Sequence, residues 1–292
     1  MGIFGPKLDD DDTVLGAIKS TSSHNLKYAS FRIRNTKDIV LFAIREGPSP
    51  CLKYASEELQ DDIDVVNAAL EKYTEEIKYV SLRLRNNPDL MLKVIAERVD
   101  YMVYASEELK DNKTFVEASI RASRGASFQY ASDNLRNNKD VVMLVIDVSP
   151  KYFKYSSFRL RSDKEIAMLA IKGFPQNLMF VSESLRDDED VVSEAIAEYS
   201  DMFSYASERL KDDFNFVEKL VSTRPRIMLH VSDRLRRNKY IVIKSLRKYD
   251  CCAKDYISES LFNNRYIMKL LVENDGLLLK NAPQNLEKIL VS

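Results

Sequence analysis

The sequence predicts an all-α protein: an α-solenoid of about ten tandem two-helix repeats, with half-repeat caps at both ends. Three observations predict it. A phrase of 25 or 26 residues returns ten times along the 292-residue chain. Its apolar positions fall at helical spacing. Glycine, at 7 residues, is too scarce for turn-dense β architecture or for phosphate-cradling loops.

The phrase is clearest in Tyr54-Ala55-Ser56-Glu57-Glu58-Leu59 and Tyr104-Ala105-Ser106-Glu107-Glu108-Leu109. With the aromatic residue as anchor, the copies begin at Tyr28, Tyr54, Tyr79, Tyr104, Tyr130, Tyr155, Phe180, Tyr205, His230 and Tyr256. A serine stands two residues past every anchor, and Ile33 or a leucine stands five past it. One domain is therefore expected over residues 1–292. Residues 8–26 form an N-terminal capping half repeat, 27–277 the ten repeats, and 278–292 a C-terminal capping half repeat. End units lack one neighbour, which is why a stack needs caps.

Taken in order, each repeat opens with a first helix over about Leu52–Leu59 and its equivalents, where Leu52, Ala55, Ser56 and Leu59 share a face. The serine has two readings. Its small side chain lets helices approach and bonds an upstream carbonyl, or it caps a short turn that begins at Glu57. The second helix is read from Val65, Val66, Ala69 and Leu70, from Val141, Val142, Val145 and Ile146, and from Val191, Val192, Ala195 and Ile196. Each set forms one buried stripe. Asp62, Asn138 or Asp188 serves as N-cap, and Asp64, Asp140 or Asp190 suits the positive end of the helix dipole. Helices this short cannot bury their stripes alone, so neighbours must cover them.

The motif Tyr-Ala-Ser-x-x-Leu-(Arg/Lys)-(Asp/Asn)-(Asp/Asn)-x-x-Val-Val resembles a tandem helical-repeat family catalogued as a domain of unknown function. The resemblance covers residues 8–286. It implies a helical-repeat architecture of the kind found in proteins of bacterial pathogens, secreted effectors among them, and of protists and large viruses. It brings no catalytic residues.

The chain carries 44 Lys+Arg against 45 Asp+Glu, 30% charged and 45% hydrophobic residues, which excludes disorder and a globally basic nucleic-acid binder. Cys51, Cys251 and Cys252 cannot build a disulfide framework and suit a reducing compartment. No classical signal peptide and no membrane span is readable, so the expected location is the cytoplasm or a host-cell cytosol to which the protein is delivered. Of the two histidines, His230 fills an anchor slot and His24 a linker, and neither has a metal-binding companion at suitable spacing. No nucleophile–base arrangement and no phosphate-binding motif is present. The expectation is a non-enzymatic protein with no cofactor.

Function is then expected where the repeat departs from itself. The first departure is basic: residues 219–248 hold ten Lys/Arg against Asp233 alone. The candidate partner-binding residues there are Arg224, Arg226, Arg234, Arg236, Arg237, Lys244, Arg247 and Lys248. Arg236 continues a basic slot after Leu that also holds Arg85, Lys110, Arg136, Arg161, Arg186 and Lys211, and that slot is expected to pair with neighbouring Asp or Asn. The second departure is apolar. The slot three past the anchor is acidic in seven repeats but is Phe31, Leu82 or Phe158 in the others, each followed by Arg32, Arg83 or Arg159. Either a local tilt buries these side chains, or they form a secondary partner-binding set of hot-spot composition. The third feature is the anchor ladder, expected to pack between repeats. The partners expected are proteins with an acidic face, possible roles being regulation or inhibition of an enzyme or action as an effector. The alternative is an anionic ligand, nucleic acid or phosphoinositide, bound by the basic C-terminal repeats.

Overall fold

The computed structural model describes residues 10–20, 23–247 and 257–274. Every regular element among them is helical, and none of the helices is long and apolar enough to cross a membrane. Lys248, Cys251, Cys252, Tyr256 and the expected C-terminal half repeat lie outside the described residues. The chain divides into two compact units, Met1–Tyr155 and Ser156–Ser292.

The described repeats share three pieces: a 3-10 segment that ends on the anchor (one residue before it at His230), a one-turn helix that is α except for the 3-10 turn Glu259–Leu261, and a long α-helix. In the third repeat these are Thr74–Tyr79, Leu82–Arg85 and Pro88–Glu97. The continuous first helix expected over Leu52–Leu59 is instead a 3-10 segment, Leu52–Tyr54, and an α-helix, Glu57–Gln60. The break has a physical cause. Ser56 sits in an extended conformation (φ −63°, ψ 159°) and its hydroxyl accepts the Leu59 amide at 3.3 Å, so it serves as N-cap and cannot continue a helix. The capping alternative is the one the backbone adopts, and it recurs at Ser81, Ser106, Ser132, Ser157, Ser207 and Ser232.

The same serine joins neighbouring repeats. Its amide donates to the repeat before it: Ser56 to the Arg34 carbonyl at 2.9 Å, Ser81 to Gln60 at 3.1 Å, Ser207 to Arg186 at 2.9 Å, Ser232 to Lys211 at 3.0 Å. Its hydroxyl donates to the Asp or Asn two residues past the preceding Ile or Leu. Ser56 reaches Asn35, Ser81 reaches Asp61, Ser207 reaches Asp187 and Ser232 reaches Asp212, while Ser106 meets Asn86 at 2.5 Å. One hydroxyl thus caps its own helix and ties it to the previous one.

In the long helices the expected stripes are buried: Val65, Val66, Ala69 and Leu70; Val141, Val142 and Val145; Val191, Val192, Ala195 and Ile196. Only Ile146 departs, at intermediate exposure. The N-caps are as expected. Asp62, Asn138 and Asp188 each accept the amides two and three residues on. Asp64, Asp140 and Asp190 have a further role beside the helix dipole, as they pair with Lys37 (2.7 Å), Lys113 (2.7 Å) and Lys164 (2.9 Å) of the preceding long helix.

The core is completed by the residue two before each of the first nine anchors, which the stripe analysis noted only at Leu52. Leu26, Ile77, Met102, Phe128 and Phe153 fill it in the first unit, and Leu178, Phe203 and Met228 in the second. The 26-residue step from Tyr104 to Tyr130 places its extra residue in the turn after Lys113–Ala122. Gly125 adopts φ 89° there, and a Cβ would meet the Tyr152 ring at 2.7 Å. In the expected N-terminal cap, the helix Asp11–Ser20 packs on Lys37–Glu46, covering the first long helix.

Replacing one serine should cost more than a surface substitution. Ser81→Ala removes the acceptor of the Leu84 amide and one donor to Asp61, so a loss of about 1–2 kcal/mol is expected. Urea unfolding of Ser81→Ala and of the exposed control Ser222→Ala measures it. Equal midpoints for the two variants would contradict the dual role.

Candidate interaction surface

The short helix presents its first two residues outward, because its N-cap faces the preceding repeat and its third residue faces the core. Acidic residues occupy the first position in most repeats and favour the helix N-terminus. Phe31, Leu82 and Phe158 stand there instead and are 63%, 64% and 66% exposed. No local tilt buries them, which overturns the burial reading. The slot two residues further on stays inside in the same three helices, where Ile33, Leu84 and Leu160 are buried.

These apolar exceptions also alter their neighbours. Where the first position is acidic, the basic residue three places on pairs with it: Lys110 with Glu107 (2.8 Å), Lys211 with Glu208 (2.9 Å), Arg136 with Asp133 and Arg236 with Asp233. Where it is Leu82 or Phe158, that cation turns to backbone carbonyls. Arg85 donates to Val80 at 3.0 Å and to Tyr104 at 3.3 Å, and Arg161 donates to Ser156 at 3.1 Å and to Phe180. The basic ladder is therefore structural: Arg136 and Arg236 pair with a neighbouring Asp as expected, Lys110 and Lys211 with a Glu of their own helix, and Arg85 and Arg161 with carbonyls.

Among the arginines beside the apolar residues, Arg83 is held by Asp61 at 2.8 Å and also donates to the Asp61 carbonyl. Arg32 and Arg159 are exposed and each has a contact within the fold.

The basic segment is largely consumed by internal partners. Arg224 donates to the Ile196 carbonyl at 3.0 Å, Arg226 lies 3.9 Å from Asp201, and Arg234 pairs with Asp212 at 2.9 Å. Arg236 pairs with Asp233, and Lys244 with Glu218. Arg237 and Arg247 are exposed and have no ion pair among the described residues. Arg237 is itself a departure, since it stands in the slot that holds Asp61, Asp187 or Asp212 in other repeats. Lys248 lies outside the described residues.

The remaining candidates take plain structural places. His230 is half-buried with its ring 3.9 Å from Asp201, and burial lowers its pKa below the ordinary histidine value. Cys51 is buried, and burial pushes its thiol up to about 12. The anchors Tyr54, Tyr79, Tyr104, Tyr130 and Tyr155 are half-buried, and Tyr28, at 59%, is exposed. Lys53, Lys78 and Lys154 lie over the rings of the anchors that follow them at 4.7, 5.0 and 5.0 Å. That pre-anchor slot carries two exposed apolar residues the sequence reading missed, Val103 (53%) and Met179 (41%). Comparing the slot across repeats reveals both, because lysine is its commonest occupant.

The inter-repeat carboxylates set an acid limit. The Arg83 guanidinium and the Ser81 hydroxyl hold Asp61 below the usual carboxylate range; Ser207 and Arg209 do so for Asp187, and Arg234 and Ser232 for Asp212. A depressed folded-state value means the stabilisation is present above the unfolded carboxylate pKa near 4 and is lost as pH falls through the folded one. Thermal melts between pH 5 and pH 2.5 should therefore fall more steeply for the native sequence than for Asp187→Asn/Asp212→Asn. Parallel curves would remove these pairs from the account.

A comparison with known proteins adds one finding. No curated protein and no solved structure matches the chain. A family profile described as "Domain of unknown function (DUF4116)" matches six times in tandem, at residues 10–60, 46–85, 62–110, 112–161, 163–211 and 188–236. With that much of the repeat array covered, the chain belongs to the DUF4116 family of helical-repeat domains.

Proposed function

We propose that this chain is a non-enzymatic scaffold that binds one or more proteins, acting as a regulator or inhibitor of an enzyme or as an effector-type protein. The observation that carries the reading is the exposure of Phe31, Leu82 and Phe158 at positions where the repeat otherwise places an acid. Large apolar side chains held outward on a rigid helix, with arginine beside them, have the composition of binding hot spots. Covering one such side chain contributes roughly 1.5–3 kcal/mol to association.

Charge supports a protein partner over an anionic polymer. Arg224, Arg226, Arg234, Arg236 and Lys244 already have partners, which leaves Lys219, Arg237 and Arg247 as exposed cations of that segment with no ion pair among the described residues. Three such cations give only a small part of the counterion release on which phosphate-backbone binding depends. An acidic face on the protein partner would complement them.

The test restores the acidic residue of the repeat. Phe31→Glu/Leu82→Glu/Phe158→Glu should keep its helical circular dichroism and unfold within about 0.5 kcal/mol of the native sequence, since all three sites are exposed. It should also lose the proteins that the native chain captures at 0.3 M salt. Arg237→Glu/Arg247→Glu should weaken their capture without abolishing it. If instead the arginine variant alone abolishes binding, and retention on heparin falls steeply with salt, the anionic-ligand reading takes its place.

A further inference from the structure

We propose that the junction between the second and third repeats is a proton-controlled latch: Glu76 keeps it closed when neutral and lets it open when ionised, exposing Cys51.

Glu76 lies in the 3-10 segment Thr74–Tyr79 and is 1% exposed. It reaches back across the repeat boundary, where its Oε1 accepts the Leu52 amide at 2.6 Å. The Leu52 and Cys51 amides favour its charged form, against the burial. Its Oε2 is buried with no hydrogen-bond partner. The carboxyl therefore holds the start of the segment Leu52–Tyr54, yet one of its oxygens has nothing to compensate a charge.

The junction is also open on its other side. The long helices Ile63–Lys72 and Pro88–Glu97 are separated by a groove of about 320 Å³ lined by Asn67, Leu70, Glu71, Thr74, Lys93 and Glu97. Thr74, two residues from Glu76, lines that groove and bonds Glu97.

The surrounding charges do not neutralise the carboxylate. Glu75, on the same segment, opposes its ionisation, and Lys53, from the preceding repeat, favours it weakly. Lys72, from the long helix before, acts on Cys51 and donates to the Ile44, Arg45 and Gly47 carbonyls. On the following repeat, Arg98 and Asp100 pair with each other at 3.1 Å. Burial dominates and raises Glu76 from 4.5 to about 7. A raised folded-state value in an acid means that the closed form binds the proton more tightly. Its advantage is full below the ordinary value of 4.5 and is lost as pH rises toward and past 7.

The slot itself is distinctive. Three residues before the anchor the chain carries Asn25, Cys51, Glu76, Tyr101, Ser127, Tyr152, Asn177, Met202, Ile227 and Ala253, so Glu76 is the one carboxylate in the series. Cys51 holds the same slot one repeat earlier. Fully buried, its thiol reports any opening of this junction.

The experiment measures alkylation of Cys51 by iodoacetamide in full-length Cys251→Ser/Cys252→Ser protein from pH 5.5 to 8.5. Each native rate is divided by the rate of the urea-unfolded chain at the same pH, which cancels the thiol's own titration. The ratio should rise roughly thirtyfold across this range in the native sequence, the factor that values of 4.5 and 7 impose on an opening equilibrium. In Glu76→Gln, which keeps an acceptor for the Leu52 amide, it should change less than about threefold. A flat native profile, or an undiminished rise in Glu76→Gln, overturns the proposal. Should Glu76→Gln fail to fold, hydrogen exchange of the Leu52 amide in the native sequence decides it. Corrected for intrinsic exchange, its opening must show the same rise with pH, and a pH-independent opening overturns the latch.

Discussion

The serine hydroxyl two residues past each anchor is the interaction on which the rest of the stack depends. A hydroxyl can donate once while accepting from another group, and here both capacities are used. The Ser81 oxygen accepts the Leu84 amide and donates to Asp61, while the Ser81 backbone amide donates to Gln60. Capping requires extended backbone, so the serine breaks what would otherwise be one first helix. The break turns the short helix so that its leucine points inward and its first two residues point outward. The repeat's inside and outside follow from that one residue.

The slot has its own exceptions, and they behave as the chemistry requires. Ser162 and Arg237 stand where other repeats carry Asp or Asn, so the following serines have no carboxylate to reach. Ser182 and Ser258 then share hydrogen bonds with Ser184 (2.9 Å) and Ser260 (3.0 Å) of their own turns. Arg237, freed from a structural role, faces solvent. The same logic operates at the short helix's first position. Removing the acid there sends Arg85 and Arg161 to carbonyls and leaves Leu82 and Phe158 outward. A slot that departs from the repeat gives up a contact and acquires an exposed side chain.

Much of this architecture was legible in the sequence because periodicity reports geometry directly. The buried stripes at Val65–Leu70 and Val191–Ile196, the caps Asp62 and Asp188, and the helical repeat all follow from spacing. What spacing could not give was partner identity. The charge excess over 219–248 looked unpaired because its acids lie a repeat away: Asp201 for Arg226, Asp212 for Arg234, Glu218 for Lys244. Local counting also could not say whether Phe31 was buried, since that depends on which way the cap turns the helix. Glu76 was invisible for a similar reason. A glutamate in a polar-looking run, Tyr73-Thr74-Glu75-Glu76, reads as solvated until the fold places it over Leu52.

The proposed latch and the proposed partner surface of the first unit would be coupled. A stack of repeats gains its stability from nearest-neighbour contacts, so one junction can open while its neighbours remain closed. Phe31 belongs to the first repeat and Leu82 to the third, so a partner that covers both must span the junction that Glu76 closes. Such a partner binds the closed arrangement in preference to the open one. By linkage, protonation of Glu76 favours the partner by the factor by which it raises the closed fraction, and the partner raises the proton affinity of Glu76 by the same factor. The coupling can be no larger than the differential stability that the proton supplies. It therefore vanishes in acid, where the junction is already closed, and operates across the interval between the ordinary carboxylate value and the raised one. A buried carboxyl with one unsatisfied oxygen is costly in a structural interface, and a position that must respond near neutrality is where such a cost has a use.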